Sequence, residues 1–279
     1  MAVLSLSEIL RNDIQSYLGG SDSILIKTIQ DLSSRVGKGM DRVQVPLISG
    51  LATSDVASGT KQSADSVTFT ADVLLLDQVK ESYMYISFEE NEESAIDIKA
   101  AFLEAAPRQI ANAMEVAIAA QLASASTNDF DSASDTAGVF AIDDIANAKK
   151  LMDQAKVPTS DRYMACNSDA MELLASFSEF EDGSKGLSPE ALRDGVVSRV
   201  KGFNVVQSED VGSNTAGDNE IHFYHREAVA IALQREVHFV EQREESYGQE
   251  FIAIRTKYGV KALNADVLKL TMALTTATS

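Results

Sequence analysis

The sequence predicts an α+β protein with one long helix, an extended β-hairpin and a separate module in which helices and strands alternate. Three observations lead to this prediction. Residues 95–126 are rich in alanine and long enough for many helical turns. Residues 41–48 and 65–76 alternate branched or aromatic residues with polar ones, as half-buried strands do. Residues 141–177 follow the patterns of a helix, a buried strand and a second helix.

Composition restricts the classes of function that the chain can have. It has 279 residues, 45% of them hydrophobic, which is enough for a buried core. Its formal net charge of −18 would repel phosphate backbones and anionic lipid. We find no apolar run of membrane-spanning length and no basic-then-apolar leader, so we expect a soluble chain that is unprocessed at its N-terminus. A single cysteine excludes an internal disulfide and fits a reducing cytoplasm.

The first part of the chain predicts an arm followed by a hairpin. Ser5 and Glu8 have the spacing of a capping box at the start of an amphipathic helix, and a second apolar pattern covers residues 24–36. The two strand-like runs that come next are separated by residues 49–66, a long segment of Gly, Ser and Thr that also contains Lys61. Loops of this length in a compact domain are usually disordered or used for contact, so we predict a projecting hairpin.

The alanine-rich segment predicts a rigid rod. Ser94 and Asp97 provide a cap and a first-turn acid, and about thirty helical residues would span roughly 45 Å. Pro107 removes one backbone donor and collides with the preceding turn. We therefore expect the rod to be kinked there or divided into residues 96–106 and a longer second half.

The remaining segments predict an α/β module followed by strands. A helix should end before Pro158, a strand pair should surround Gly202, and residues 221–234, 237–246 and 251–263 are three strand-like runs.

Few residues have a pattern that suggests chemistry. His222 and His225 lie three apart on a predicted strand and should face opposite sides, which argues against a metal pair. His238 and Cys166 lie in strand patterns typical of structural residues, Cys166 as an inert buried thiol. The acidic residues 89–94 suit a solvated helix start better than a cation site. No phosphate-binding loop, nucleophile elbow or dinucleotide fingerprint is present, so we predict no catalytic residue, cofactor or metal, and an architectural role.

The order and spacing of these segments resemble the major capsid proteins of tailed bacteriophages, which have the Hong Kong 97 fold. The resemblance covers nearly the whole chain. The segments that carry it are VQVPLISG, IDIKAAFLEAAPRQIANAMEVAIAAQL, IDDIANAKKLMDQAKVPTSDRYMACNSDAMELLASF, VSRVKGFNVVQSEDV and REAVAIALQREVHFVEQREESYGQEFIAIRTKYGVKAL.

The resemblance implies a division of the chain into the parts of a shell subunit. In the implied α+β capsid fold, an axial domain points at the centre of each hexamer or pentamer, and a peripheral domain holds the spine helix. The implied parts are an N-terminal arm at 1–41, an extended hairpin loop at 42–88, the peripheral domain with its spine helix at 89–140, the axial domain at 141–233, and the return to the peripheral domain with the C-terminal tail at 234–279.

The resemblance also implies a function and partners. Copies of the chain would assemble as hexamers and pentamers into the icosahedral head of a virion that encloses double-stranded DNA, without gripping that DNA strongly. Assembly would take place in the bacterial host cytoplasm with a separate scaffolding protein, a portal and a possible decoration protein. Because relatives that crosslink use a hairpin lysine, Lys61 is notable, but we expect non-covalent contacts. The candidate contact residues are Ser58, Gly59, Thr60, Lys61, Gln62 and Arg108.

Other readings remain open from the sequence. A cellular nanocompartment shell of the encapsulin type would have the same fold and enclose an enzyme. An α/β enzyme with a scattered active site would turn over a substrate as a monomer. A flagellin-like filament protein fits less well because its terminal helices should carry long apolar repeats, whereas this C-terminal region is mostly strand.

Overall fold

The computed structural model describes residues 24–37, 39–49, 68–89, 98–123, 130–131, 142–175, 199–211, 219–234, 238–263 and 269–274, and it confirms the α+β class. The helices are α1 (Leu25–Thr28), α2 (Ile98–Ala123), α3 (Ile142–Gln154) and α4 (Ser168–Ala175). The strands are β1 (Gln30–Asp31), β2 (Arg42–Ser49), β3 (Thr68–Leu75), β4 (Gln78–Ser87), β5 (Phe130–Asp131), β6 (Arg162–Cys166), β7 (Arg199–Val200), β8 (Phe203–Gln207), β9 (Asn219–His225), β10 (Val229–Leu233), β11 (His238–Glu244), β12 (Gln249–Ala262) and β13 (Lys269–Leu274). The predicted helix over residues 5–18, with its capping box, lies outside the described residues.

The predicted rod is present as the spine helix α2, and it runs through Pro107 without a break. Of the two predicted outcomes, a kink or a division, the division of the helix at this proline is therefore wrong. Pro107 is itself buried, and the residues that follow it on the same face are also buried. Their packing stabilises the helix across the position of the lost hydrogen bond, since most helical stability in proteins comes from such tertiary contacts. The buried face contains Ala106, Ile110, Met114, Ile118 and Leu122.

The spine helix packs on a mixed sheet centred on β12, which we call the spine sheet. In the described part of the chain this sheet has five strands: β10 and β11 pair with one edge of β12, β4 pairs with the other edge, and β1 adds to β10 in parallel. The side chains of β12 alternate between the two faces. Ile254, Tyr258 and Val260 lie in the core beneath α2.

Strands β2 and β3 form the predicted hairpin. They pair antiparallel over their whole length, from Arg42 opposite Leu75 to Ser49 opposite Thr68. The connecting residues 50–67 lie outside the described residues. The next strand, β4, pairs with β12 along its full length, so it belongs to the spine sheet by its hydrogen bonds.

The predicted α/β module is present around a second sheet. Its described strands follow the order β5, β13, β9, β6, β8, β7, and β6 and β8 are parallel. One face of this sheet packs against α3 and α4 through an apolar cluster that includes Ile145, Met152, Leu174 and Phe223. Gly202, with a φ of 100°, makes the tight turn between β7 and β8, as the sequence predicts.

The strand-like run at residues 221–234 is two strands that belong to different sheets. Strand β9 lies in the second sheet and β10 lies in the spine sheet. A short 3-10 turn, Arg226–Ala228, separates them, and the side chain of His225 accepts a hydrogen bond from the backbone of Glu227 at its start. The prediction of a single run was wrong because the residues on both sides of the turn are buried and strand-like, and the turn between them is only three residues long.

The two sheets share one core. Ala165, Val206 and Tyr224 of the second sheet lie in the same buried cluster as the spine helix and the inner face of the spine sheet. The spine helix therefore packs against both sheets, and their relative position depends on this common cluster.

The base of the hairpin covers part of the outer face of the spine sheet. Val43, Leu74 and Leu76 form a buried cluster with Ala230 and Ala232 of β10. At this crossing the two backbones come so close that a Cβ atom added to Gly259 would overlap the carbonyl group of Leu75. Only glycine allows this approach, because the atoms opposite belong to a backbone that cannot rotate away.

We expect the substitution Gly259→Ala to lower the free energy of unfolding by about 3 kcal/mol or more, since the added methyl group has no space. Gly37→Ala is the matched control, because a Cβ there would meet only the flexible side chain of Met40. Urea denaturation of both variants measures the effect as a shift of the midpoint at an unchanged slope. Equal midpoints for the two variants would contradict the close approach.

Candidate subunit-contact surfaces

The contact candidates that were predicted from the sequence do not form one site in the structure. Ser58, Gly59, Thr60, Lys61 and Gln62 lie outside the described residues. Arg108 lies on the exposed side of the spine helix, one residue after buried Pro107. It belongs to an exposed stripe at four-residue spacing, which contains Glu104, Arg108, Asn112, Val116 and Ala120.

The two histidines that the sequence places three residues apart are buried in packed clusters on opposite faces of β9. His222 and His225 are both buried on β9. By strand alternation His222 shares the face of Tyr224, which packs toward the spine helix, and His225 shares the face of Phe223, which packs toward α3 and α4. Within the described ranges, no group of three or more His, Cys, Asp or Glu residues could hold a metal ion.

No described helix combines the length and the apolar character that crossing a membrane requires.

Cys166 is a buried thiol at the end of β6, as predicted. Burial raises its pKa to about 12, and the negative charge of Glu209 adds to this effect. Its sulfur lies 3.8 Å from the carbonyl oxygen of Val206. The thiolate form is therefore scarce at neutral pH, and the residue is not poised as a nucleophile.

A strip of aromatic side chains lies open on the outer face of the spine sheet. Tyr83 and Tyr85 are 62% and 52% exposed, and both lie near Phe251 of β12, with ring centroids 6.1 and 5.0 Å away. We call these three residues the aromatic strip. The tyrosines face outward because the alternate residues of β4 face the spine helix, where Ile86 is buried.

The aromatic strip lies along a sheet edge. In the described part of the chain, β4 pairs as a strand with β12 alone, so its other edge is open to a further strand. Open edges tend to pair with other chains unless they are covered. Next to the strip, Glu81 and Arg255 form an ion pair at 2.8 Å, and Lys257 follows on the same face. This face therefore lacks the excess of acid that characterises the whole chain.

The hairpin provides a second surface. Its base is fixed to the body by its apolar cluster and by Lys261, whose Nζ contacts Asp72 Oδ1 and donates to the carbonyl oxygen of Val73 at 3.0 Å. Beyond this base, the described residues of β2 and β3 pair as strands only with each other. A two-stranded ribbon is marginally stable in water, so the outer part of the hairpin requires further contacts to be held in place.

The comparisons with known proteins give these surfaces a context. The profile of a protein family described as "Phage capsid protein" matches residues 75–267, which include β4, the spine helix, the α/β module and β12. The chain belongs to this family. It is therefore a structural phage capsid protein, and the Hong Kong 97 fold that its sequence resembles is confirmed by solved capsid structures. A search of curated proteins returned no match.

Three solved structures illustrate the similarity of this capsid protein to others. A chain from Mycobacterium phage Che8 is 20% identical with a TM-score of 0.75, over 89% of this chain and 90% of that one. A chain from the capsid of the cyanophage P-SCSP1u is 16% identical with a TM-score of 0.68, over 88% and 86%. A chain from the capsid of an empty GTA particle is 13% identical with a TM-score of 0.68, over 92% and 91%. These matches give no support to the nanocompartment or enzyme alternatives.

The aromatic strip was not predicted from the sequence of this capsid protein, although the signal was present. Tyr83 and Tyr85 are two residues apart in a strand whose other face carries Met84 and Ile86. Large aromatic residues on the side opposite an apolar face indicate a second buried surface, and tyrosine is enriched at protein interfaces. The pattern alone does not show which face of this strand solvent reaches, because that depends on the pairing with β12.

We expect Cys166 of the folded protein to react with a thiol reagent at pH 8 at least about a hundred times more slowly than an exposed cysteine, because it is buried and protonated. The release of chromophore from a disulfide reagent measures this rate. The same sample in denaturant is the control and should give one equivalent. Rapid, complete labelling of the native chain would contradict the buried position.

Proposed function

We propose that this capsid protein assembles as hexamers and pentamers into the closed icosahedral head of a tailed phage, around double-stranded DNA. The family match over residues 75–267 carries the proposal. The net charge of −18 supports a wall that does not grip DNA, because the phosphate contacts that dominate DNA affinity need positive side chains. Its place would be the virion, after assembly in the host cytoplasm, and its role would be structural without catalysis.

For the domain arrangement we propose an arm at residues 1–41, a hairpin loop at 42–88, a peripheral domain built on residues 89–140 and 234–279, and an axial domain at 141–233. The strand pairing supports three adjustments. Strand β4 hydrogen-bonds to β12 in the spine sheet, so the hairpin loop would end before Gln78. Strand β10 hydrogen-bonds in the spine sheet, so the axial domain would end at the turn Arg226–Ala228. Strand β13 pairs with β9, so residues 269–274 would rejoin the axial domain.

For the contacts between copies we propose two surfaces, the outer hairpin with residues 58–62 and the aromatic strip. Copies that each carry a charge of −18 repel one another, so they can associate only where acid is scarce. The face around the aromatic strip meets this condition, with Arg255 and Lys257 beside Glu81. Arg108 on the spine helix is a further contact candidate. For Lys61 we propose a non-covalent contact with a neighbouring copy and no covalent crosslink.

For the assembly partners we propose a separate scaffolding protein and a portal, with a decoration protein as a possible addition on the outside. Contacts made by an open sheet edge and by a marginally stable two-stranded hairpin do not by themselves determine one shell size. An internal template, such as a scaffolding protein, would determine it.

The test of the proposed function is expression of the full chain with and without a candidate scaffolding protein, followed by electron microscopy of the product. We expect closed, regular particles tens of nanometres wide, at a higher yield when the scaffolding protein is present. Genes for tail, portal or terminase near the coding sequence would support a virus independently. A small, uniform species under every condition, in particular one that turns over a substrate, would contradict the proposal.

We expect the double substitution Tyr83→Ser and Tyr85→Ser to abolish particle formation at concentrations where the unaltered chain assembles. Each buried aromatic at a contact typically contributes more than about 1 kcal/mol, and a shell repeats the contact many times. The isolated chain should keep its stability to within about 1 kcal/mol, since both residues are exposed. Sedimentation and urea denaturation measure the two effects.

The control for this experiment is Tyr247→Ser. Tyr247 is 78% exposed and lies in the turn between β11 and β12, and it does not belong to the aromatic strip. This variant should assemble normally. Normal assembly of the double variant, or equal loss in the control, would remove the aromatic strip from the proposed contacts while leaving the capsid function intact.

A further inference from the structure

A buried carboxylate of the spine helix lies under the short helix α1. Glu115 is only 4% exposed, and its Oε1 accepts a hydrogen bond from the backbone N–H of Leu25 at 3.0 Å. Helix α1 has no hydrogen bond from a capping side chain of its own. Glu115 therefore provides, from a different element, the acceptor that the first N–H groups of this helix need.

A second polar contact connects α1 to the second sheet. The hydroxyl of Thr28 lies 2.6 Å from the hydroxyl of Tyr224, which is fully buried on β9. The Thr28 hydroxyl also donates a hydrogen bond to the carbonyl oxygen of Leu25 at 2.7 Å. Leu25 and Ile29 lie in the shared core. We call Glu115, Thr28 and Tyr224, with the backbone of Leu25, the α1 junction. It connects the N-terminal part of the described chain to the spine helix and to the second sheet at once.

The surroundings of Glu115 act on its charge in both directions, and their net effect disfavours the ionised form. Burial raises the pKa of Glu115 to about 7, while hydrogen bonds from the backbone of Ile26 and Leu25 act in the opposite direction. The charge of Asp210 raises this pKa further, and Lys27 lowers it. Asp210 has a raised pKa of its own, through burial and the nearby Glu209.

The other titratable groups of the α1 junction bring no positive charge. Burial raises the pKa of Tyr224, so its phenol stays protonated at neutral pH. Tyr163 and Cys166 of β6 raise the pKa of Tyr224 further, and burial keeps Cys166 protonated as well. The balance at Glu115 is therefore set by its burial, by two backbone hydrogen bonds and by the opposed charges of Asp210 and Lys27.

We propose that the α1 junction is a proton-controlled anchor: helix α1 is held on the spine helix while Glu115 is protonated, and its attachment weakens when Glu115 ionises. The physical reason is that the ionised carboxylate is poorly solvated beneath α1 and reaches water when α1 moves away. This proposal concerns the single chain and does not depend on the assembly of a shell.

The direction of the pH dependence follows from the two states. With α1 detached, Glu115 is hydrated and its pKa returns toward the ordinary value of 4.5, whereas in the attached state it is about 7. The attached state therefore binds the proton more tightly and is favoured at low pH. Its advantage decreases as the pH rises from the ordinary value through about 7, and it changes little above that.

Amide hydrogen exchange of the full chain tests the anchor without any mutation. Opening of α1 exposes the amides of Leu25 and Ile26, and local openings of this kind are what exchange measures. After correction for the intrinsic exchange rate, the protection of these amides should fall by about ten- to thirtyfold between pH 5.5 and pH 8, with the change complete slightly above 7. Protection that does not change over this range would overturn the proposal.

Substitutions assign the pH dependence to Glu115. Glu115→Gln keeps an oxygen acceptor for Leu25 but cannot ionise, so its protection should not depend on pH. Glu104→Gln, at an exposed position of the same helix, is the matched control and should behave like the unaltered chain. A pH dependence that persists in Glu115→Gln would overturn the proposal.

Two further variants keep the test decisive if Glu115→Gln does not fold. Asp210→Asn removes a nearby negative charge, so the pH at which protection falls should move downward. Tyr224→Phe removes the hydroxyl that contacts Thr28, so protection should fall at every pH with the same pH dependence. An unchanged midpoint in Asp210→Asn, or a lost pH dependence in Tyr224→Phe, would contradict the role assigned to Glu115.

Discussion

The structure depends on the burial of one face of the spine helix against two sheets. The residues from Ile110 to Leu122 on this face are covered by β12 and β10 on one side and by Tyr224 and Ala165 on the other. No other described element contacts both sheets through so long a buried surface. The same packing explains why Pro107 is accommodated within the helix, because the cost of one missing hydrogen bond is small beside the area that the continuous helix buries.

The two faces of the spine sheet have different environments, because one packs against the spine helix and the other is only partly covered by the hairpin. The inner side chains of β12 fill the core, whereas the outer ones meet the hairpin base at one end and remain open at the other. The open end carries the aromatic strip and an ion pair, and it coincides with the edge of β4 that pairs with no other described strand. A protein that worked as a monomer would need to protect such an edge, whereas one that works as a repeated subunit can use it for contact.

The positions of helices and strands could be predicted from the sequence better than the strands and helices that each of them packs against. The alternation in residues 41–48 and the alanine-rich run identified the hairpin and the spine helix, because these patterns reflect the burial of neighbouring positions. The assignment of β10 to the spine sheet and of β9 to the second sheet could not be predicted, since two strands separated by only three residues have the same local pattern in either arrangement. Glu115 was missed for a similar reason: an acid in a helix is usually exposed, and only the packing of α1, ninety residues earlier, buries it.

The contact between Gly259 and Leu75 has a mechanical consequence. The hairpin crosses the sheet at a point where two backbones touch, so this point acts as a fulcrum that side-chain rearrangement cannot shift. From this point to the far end of β2 the eight residues of the strand span about 26 Å, of which the first few belong to the anchored base. A rotation of about 10° at the fulcrum would therefore carry the far end of β2 through roughly 4–5 Å, the distance between neighbouring strands. A small adjustment of the body would in this way displace a distant contact by about the width of one strand.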